Sequence, residues 1–396
     1  MTTQTSEPLN RFDCIINRAE TNAIKKVFCE PLFGRRDLIP LWVADMDFPA
    51  PQAVTDELIK RAQHPIYGYT ARPKSYFESL QNWMHTRHQW SIKTEWCLHS
   101  PTVLASLSLA LDTLAPLNAD VVIQTPVYAP FYTVVTRNNR NIVENPLLRR
   151  PDGSYQMDFN HLELCFAKGA KFFILCSPHN PVGRVWTKTE LSRLAEIIIR
   201  YNVTVLSDEI HCDLVFSGHK HTPLASVSSD LRNNVITCVS PTKTFNLAGM
   251  STSAIIVSNP KLRQQIEAAF LRYSIDHTNL FGVVAFESAF RNGAEWLDEL
   301  LKYLECNRDF IAQFLSQFPN KVTVKKPEGT YLAWLDFAAS GWDEKEISHK
   351  LIHEAGLALE PGAKFGSAAT RFSRLNFACP RSILEQAVVQ FEKILR

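Results

Sequence analysis

The chain has 396 residues, 45% of them hydrophobic and 21% charged, with 42 Lys and Arg against 40 Asp and Glu for a net charge of +2. That length admits two or three domains around a large core, and so even a charge gives no reason to expect nucleic acid or an anionic membrane as partner. Met1 to Asn10 is polar, and no apolar run nears the roughly 18 residues of a spanning helix, so neither a secretory signal nor a membrane anchor is expected. Nine cysteines are scattered singly from Cys14 to Cys379, without a CxxC pair or a zinc spacing. Reduced thiols in a cytoplasmic protein fit that pattern, and no metal is expected. Cysteines inside apolar runs, such as Cys176 and Cys238, read as small core residues.

Residues 1 to about 40 read as an N-terminal arm, with Phe12, Ile15, Ile16 and Phe28 among charges. Between Pro40 and Pro49 lies an extended segment holding Trp42, Asp45 and Asp47, which alone reads as a loop with acidic turn residues. Residues 51–63 have helical periodicity (Val54, Leu58, Ala62). Tyr67-Gly68-Tyr69-Thr70 reads as a turn before an amphipathic helix through Tyr76, Leu80 and Trp83. Ser100-Pro101-Thr102 opens an apolar helix that begins Val103-Leu104 and runs to Leu114. Ser100 or Thr102 can cap it, Pro101 suits a first turn, and its free N–H groups form an anion site, though a capped buried helix is also ordinary.

From there strands and helices alternate. Strands are expected at 121–124, 171–176, 203–207, 235–239 and 253–257, with a helix at 189–200. A helical region at 261–318, strands at 330–337 and 374–378, and a closing helix at 383–395 complete the chain. The alternation predicts a mostly parallel sheet covered by helices, followed by a smaller α+β part. Four of the strands run into polar, proline-punctuated segments that carry Tyr128, Asn180, Asp208 with His211, and Lys243. Such a sheet gathers its strand ends along one edge, where α/β proteins hold ligands. Lys243 follows an apolar run at once, and a partly desolvated amine there is a nucleophile; a lone lysine after a strand is more often a solvated charge. Ser240 and Thr242 beside it offer hydroxyls to a phosphate.

A lysine amine, a buried carboxylate, an amide, an aromatic ring and an anion-binding helix start are together what pyridoxal 5′-phosphate (PLP) requires. Neither a GxGxxG after a strand nor a GxxxxGK[ST] is present to suggest a nucleotide. Asn180-Pro181-Val182-Gly183, Asp208-Glu209-Ile210-His211 and Ser240-Pro241-Thr242-Lys243 resemble, in order and spacing, the motifs of fold-type I PLP enzymes, the aspartate aminotransferase superfamily. Trp42 to Phe48, Lys243-Thr-Phe-Asn, Thr330 to Asp336, Arg374-Leu-Asn and Cys379-Pro380-Arg381 resemble more narrowly its MalY/PatB group of cystathionine β-lyases, or C–S lyases. The resemblance covers about residues 11–396. It implies an α/β fold with a mostly parallel seven-stranded sheet in a large PLP-binding domain (51–289), and an arm (1–50) joined to a smaller α+β domain (290–396).

The resemblance also implies roles. Lys243 would hold the PLP aldehyde as a Schiff base and then shuttle the substrate's Cα proton. Asp208 would pair with the pyridine nitrogen, Asn180 would reach O3′, and Tyr128 would stack on the ring. Backbone N–H groups of Val103 and Leu104, with Ser240 and Thr242, would hold the phosphate. Tyr69 would reach the phosphate of a neighbouring subunit in a homodimer. Arg374 would clamp the substrate carboxylate, with Val43, Ala44 and Asn180 on the substrate side. Two departures stand out. Where aminotransferases carry a Tyr three residues after the aspartate, this chain has His211, as the lyase group does, which places it against the cofactor. Where they often carry an Arg eight residues after the lysine, it has Ser251.

The implied reaction is β-elimination from cystathionine or a related cysteine S-conjugate, giving pyruvate, ammonia and a thiol. An aminotransferase of an L-amino acid is the first alternative, since both reactions use the same ring contacts. A PLP-binding regulator with vestigial lyase activity is the second; its effect would survive Lys243→Ala.

Overall fold

The structure, a computed structural model, describes residues 10–396; the polar start of the chain, where no secretory signal is expected, lies outside them save for Asn10. Seven strands make the main sheet: β1 (Cys97–Ser100), β2 (Asp120–Ile123), β3 (Asn141–Glu144), β4 (Phe172–Cys176), β5 (Thr204–Asp208), β6 (Val235–Val239) and β7 (Ser253–Ile256). Their order is β1-β7-β6-β5-β4-β2-β3, and all run parallel except β7, which is antiparallel to both neighbours. The five expected strands all occur, with bounds moved by at most a residue. The edge strands β1 and β3 carry no apolar run: β3 reads Asn-Ile-Val-Glu and is half exposed.

Strand residues alternate between two cores, as a two-residue period requires. Val122, Phe173, Leu175, Val205 and Val235 enter one, with Leu80 and Trp83 of helix Lys74–His88 and Phe286 of helix Leu280–Asn292. Val121, Ile174, Leu206, Ile236 and Ile255 enter the other, with Leu107 of helix Val103–Leu114 and Phe270 of helix Pro260–Arg272. Burying each such side chain contributes about 1.5–3 kcal/mol. With helices on both faces, the central strands can be continuously apolar, which is why they were legible.

The helical region at 261–318 is three helices, Pro260–Arg272, Leu280–Asn292 and Ala294–Leu315. Asn259 and Asn279 cap the first two. The last break is at Gly293, where a Cβ would strike the Phe245 ring.

A second, antiparallel sheet has the order β8-β9-β11-β10, with β8 Thr323–Val324, β9 Leu332–Asp336, β10 Glu360–Pro361 and β11 Phe372–Asn376. Its register sets Arg374 between Trp334 and Glu360. Ile39–Pro40 pairs with Leu357–Ala358, tying the N-terminal segment to this part of the chain. Among the described residues no helix is long and apolar enough to cross a membrane.

Candidate active site

The carboxyl ends of β4, β5 and β6 converge on one edge of the main sheet. After β4, the turn Asn180–Gly183 brings Asn180 back over that edge; Gly183 has φ +71° and lies so close to Pro327 that a Cβ would not fit. β5 ends at Asp208 itself. After β6, the Ser240 hydroxyl accepts from the Thr242 N–H and caps a single turn, Pro241–Thr244, that carries Lys243. Asn180, Asp208, His211 and Lys243, with Tyr128, line a cavity of about 160 Å³. At its other end stand Val103, Leu104, Ser240 and Thr242, and Ala44 of the extended segment joins them.

Within the cavity the charged groups are short of partners. Asp208 is 4% exposed and accepts one hydrogen bond, from the Ile210 N–H at 3.1 Å. Burial pushes its carboxyl up to about 7, against the opposing pull of that N–H and of the Lys243 charge. Burial, followed by the Arg374 charge, pulls the Lys243 ammonium down to about 8, and its Nζ donates to the Ala44 carbonyl at 2.6 Å. His211 is driven down to about 3 by burial and by the cations Lys243 and Arg374, so its imidazole is neutral, and its Nδ1 is sealed without a partner. Arg374, 4% exposed, is not among the residues that line the cavity; it stands behind Asn180, which does. Its Nη1 donates to Asn180 Oδ1 at 3.1 Å and its Nη2 to the Trp42 carbonyl at 2.9 Å, while Nε has no partner. With its oxygen given to Arg374, Asn180 keeps its NH2 to donate.

The far end of the cavity is neutral. Helix Val103–Leu114 begins there, capped by Thr102, whose hydroxyl accepts from the Ala105 N–H; Pro101 precedes the cap instead of entering the first turn, and Ser100 turns its hydroxyl to the Thr102 carbonyl. The hydroxyls of Ser240 and Thr242 stand 2.8 Å apart. Lys243 is the one cation among the described residues lining the cavity, and Ser251, the departure noted in the sequence, lines it without adding charge.

The extended segment Trp42–Phe48 is held at nearly every carbonyl. Ala44 O accepts from Lys243 and from Tyr331 Oη. Val43 O and Asp45 O accept from Asn376, and Met46 O and Phe48 O from Asn246. Asp45 and Asp47, read alone as turn acids, are instead clasped by Arg18 and by the buried ammonium of Lys25 at 2.6–3.3 Å. The Val43 side chain packs against the Cys29, Phe33 and Trp42 cluster, away from the cavity-lining residues. Tyr69 is likewise elsewhere: fully exposed, it lines a separate hollow with Arg72 and His277.

The model of the family described as Aminotransferase class I and II matches residues 36–391. The chain belongs to that family. It is 41% identical over 385 residues to the cystathionine β-lyase PatB of Bacillus subtilis, covering 97% of this chain and 99% of PatB. A PLP-bound protein of Clostridium difficile 630 superposes with a TM-score of 0.95 at 43% identity, over 97% of this chain and 99% of that one. A PLP-bound C–S lyase of Staphylococcus hominis gives 0.91 at 32% identity, over 98% of each.

The unspent groups of this family member's cavity fit the PLP that those two structures hold. A buried carboxyl with a single donor suits a pyridinium N–H, a spare amide NH2 suits a phenolic oxygen, and the first-turn N–H groups of helix Val103–Leu114 suit a phosphate, whereas the Ser240 hydroxyl already donates to the Thr252 carbonyl at 2.7 Å and would have to turn to serve one. The sequence reading gave no role to Tyr331, Asn246, Asn376 or Lys25. Tyr331, Asn246 and Asn376 stand in segments that carry the family resemblance, but no role attached to them, and no spacing links any of the four to residues 42–48.

Proposed function

We propose that the protein is a PLP-dependent carbon–sulfur lyase. It takes cystathionine or a related cysteine S-conjugate and, with one water, releases pyruvate, ammonia and a thiol. The observation that carries this reading is the 41% identity to a cystathionine β-lyase over 97% of this chain, joined to a cavity whose charged groups, Asp208 and Lys243, each have a single hydrogen-bond partner. When bound, PLP supplies an aldehyde for the substrate amine and a ring that accepts the electron pair left at Cα.

The chain's own residues do the rest. Lys243 holds the cofactor at rest and, once displaced as a neutral amine, takes the Cα proton as general base; an amine drawn down to about 8 gives up its charge readily for that work. The Ala44 carbonyl, which Lys243 Nζ reaches at 2.6 Å, parks the amine between steps. Asp208 would keep the pyridine nitrogen protonated, Asn180 would donate to O3′ alongside neutral His211, and Tyr128 would cover one face of the ring. Arg374, fixed by Asn180 and the Trp42 carbonyl, receives the substrate carboxylate and so orients the Cα–H bond. Loss of the Cα proton to Lys243 and of sulfur from Cβ as thiolate would leave a Cα=Cβ bond in what remains of the substrate. The enamine hydrolyses to pyruvate and ammonia. Ala44 and the Val43 backbone border the substrate. Val103 and Leu104 N–H groups, Ser240 and Thr242 hold the phosphate.

In this reading the working unit is a homodimer in which Tyr69 serves the neighbouring site; its complete exposure beside exposed Ile66 and Tyr67 supports that role. Residues 51–289 would form the cofactor-binding domain, with 290–396 the smaller one and 1–50, of which residues 1–9 lie outside the described residues, the N-terminal arm joined to it. Dispersed free thiols and an even charge support a cytoplasmic protein without nucleic-acid or membrane partners.

Incubation with cystathionine or an S-alkyl cysteine is expected to release pyruvate. No pyruvate from any cysteine thioether, together with conversion to pyridoxamine phosphate that a 2-oxo acid reverses, would make the protein an aminotransferase.

A further inference from the structure

The residue that shares the Ala44 carbonyl with Lys243 is set in place by a strained backbone. Thr330, just before Tyr331, is buried and β-branched and has φ +68°, a left-handed conformation that such a residue rarely adopts. Strain of this kind persists only where the surroundings enforce it, and it gathers at functional positions. Here it is enforced from both sides. The Thr330 N–H donates to the Leu214 carbonyl at 2.7 Å, and its hydroxyl accepts from the Leu332 N–H at 3.2 Å. The Tyr331 carbonyl accepts from the Phe377 N–H at 3.0 Å. Gly329 lies so close to the Leu214 carbonyl that a Cβ would stand 2.8 Å from it.

What the strained turn delivers is one hydroxyl. Tyr331 Oη donates to the Ala44 carbonyl at 2.7 Å, and Lys243 Nζ donates to the same oxygen at 2.6 Å. A carbonyl oxygen has two lone pairs, and these two donors use both. Burial pushes the phenol well above its ordinary value, so near neutral pH it remains a donor. Its ring meets that of His211 edge-on, 5.9 Å between centroids. Tyr331 is not among the residues that line the cavity, whereas Ala44 is, so its reach into the chemistry runs through that carbonyl. When Nζ is away on the cofactor, the Tyr331 hydroxyl still fixes the oxygen to which the lysine returns. When Nζ is present, the phenol hydrogen draws density from that oxygen and stands as a second positive end beside the ammonium. The charged lysine is then held less firmly than an unshared carbonyl would hold it.

We propose that Tyr331 is a positioning residue for Lys243: its hydroxyl fixes the Ala44 carbonyl and occupies one of its lone pairs, leaving the other as a weak, fixed berth for the catalytic amine. The proposal rests on the reading of Lys243 as cofactor lysine and general base. Tyr331→Phe removes the hydroxyl and keeps the ring, so the fold is expected to stand. In the cofactor-free protein, acylation of Lys243 by acetic anhydride, followed across pH by peptide mass spectrometry, reads the readiness of the amine to lose its charge without any turnover. Asp45, Asp208, His211 and Arg374 also face that amine, and all stay in place in the variant. Tyr331→Phe is expected to move the rise in acylation to higher pH by about half a unit, a loss of roughly threefold in rate near pH about 7. In the PLP-loaded enzyme, kcat for a cysteine thioether is expected to fall by about tenfold with KM near the wild type. An unmoved acylation curve would overturn the proposal even if kcat fell, since Tyr331 would then act by packing alone. Absence of pyruvate from the wild type would remove the lyase reading instead, with the acylation curve still deciding for or against Tyr331.

Discussion

Asp208 and Asp213 stand five residues apart and are equally buried, yet they are in opposite electrostatic condition. Asp213, turned to His88, Trp83 and Thr244, accepts three hydrogen bonds; burial alone would raise its carboxyl, but the His88 bond and charge and the other donors hold it below the usual range. Asp208, facing the cavity, accepts one, and burial lifts it to about 7. The same contrast separates Lys25, whose buried ammonium meets Asp45 and Asp47, from Lys243, which meets only a carbonyl. A buried charge with its donors supplied by the chain is part of the structure. One left short of them is poised for a partner the chain does not contain, and short groups cluster at functional sites.

The contrast breaks first at Lys243. Lys243→Ala should cut pyruvate release by about 10³-fold or more and abolish the covalent attachment of PLP by borohydride. Residual activity near the wild type would remove the lysine from the mechanism.

The next test sets the two aspartates against each other in the cofactor-free protein. Asp213→Asn breaks a buried charged network and should lower unfolding stability by about 3 kcal/mol. Asp208→Asn should raise it above neutral pH. The signs follow from linkage. Asp208 has its folded pKa above the unfolded value, so its contribution is present at low pH and lost as pH rises through about 7. Asp213 has its folded pKa below, so its contribution is present above the unfolded value and lost as pH falls through the folded one. Thermal unfolding across pH reads both. If the two substitutions act alike, the distinction between finished and waiting carboxylates fails. Adding PLP should restore the advantage to Asp208, because Asn cannot balance a pyridinium.

Much of this was legible in the sequence, for definite reasons. Strands β2, β4 and β6 are apolar over most of their length and β5 carries Val205 and Leu206, because helices cover both faces, and a buried strand announces itself by composition. Tyr128, Asn180, Asp208 and Lys243 could be placed together because parallel strands deliver their ends to one edge, whatever the loops do. Arg374 lies on another sheet, and only the family resemblance placed it; its contact with Asn180 spans 194 residues. The clasp on residues 42–48 was hidden for the same reason. Asn246, Asn376 and Tyr331 bond backbone carbonyls, and no periodicity encodes a long-range bond to a carbonyl. Strands β1 and β3 were missed because an edge strand need not be apolar on both faces.

At Arg374 a smaller effect sharpens the comparison. Its Nη groups are fixed and its Nε is unspent, and in the proposed reading it receives the substrate carboxylate. Arg374→Lys keeps the charge and loses the two-pronged geometry. It should lower kcat/KM by about 10²-fold, chiefly through KM, with PLP still retained. Loss of PLP instead would mean that the arginine supports Asn180 more than it binds substrate.

The smallest predicted effect concerns how the empty protein takes up PLP. Attack on the aldehyde needs Lys243 as neutral amine, and burial brings its pKa to about 8. One unit below that value roughly a tenth of the amine is neutral, and one unit above it nearly all. The rate of covalent PLP capture should therefore rise by about tenfold between pH about 7 and about 9. Asp208 ionises over the lower part of that range, and its charge draws the Lys243 pKa upward, so Asp208→Asn should move the rise to lower pH. An ordinary, solvated lysine would still be climbing steeply above pH about 10, and a profile of that shape would place residue 243 with the surface lysines and out of the cavity's unfinished set.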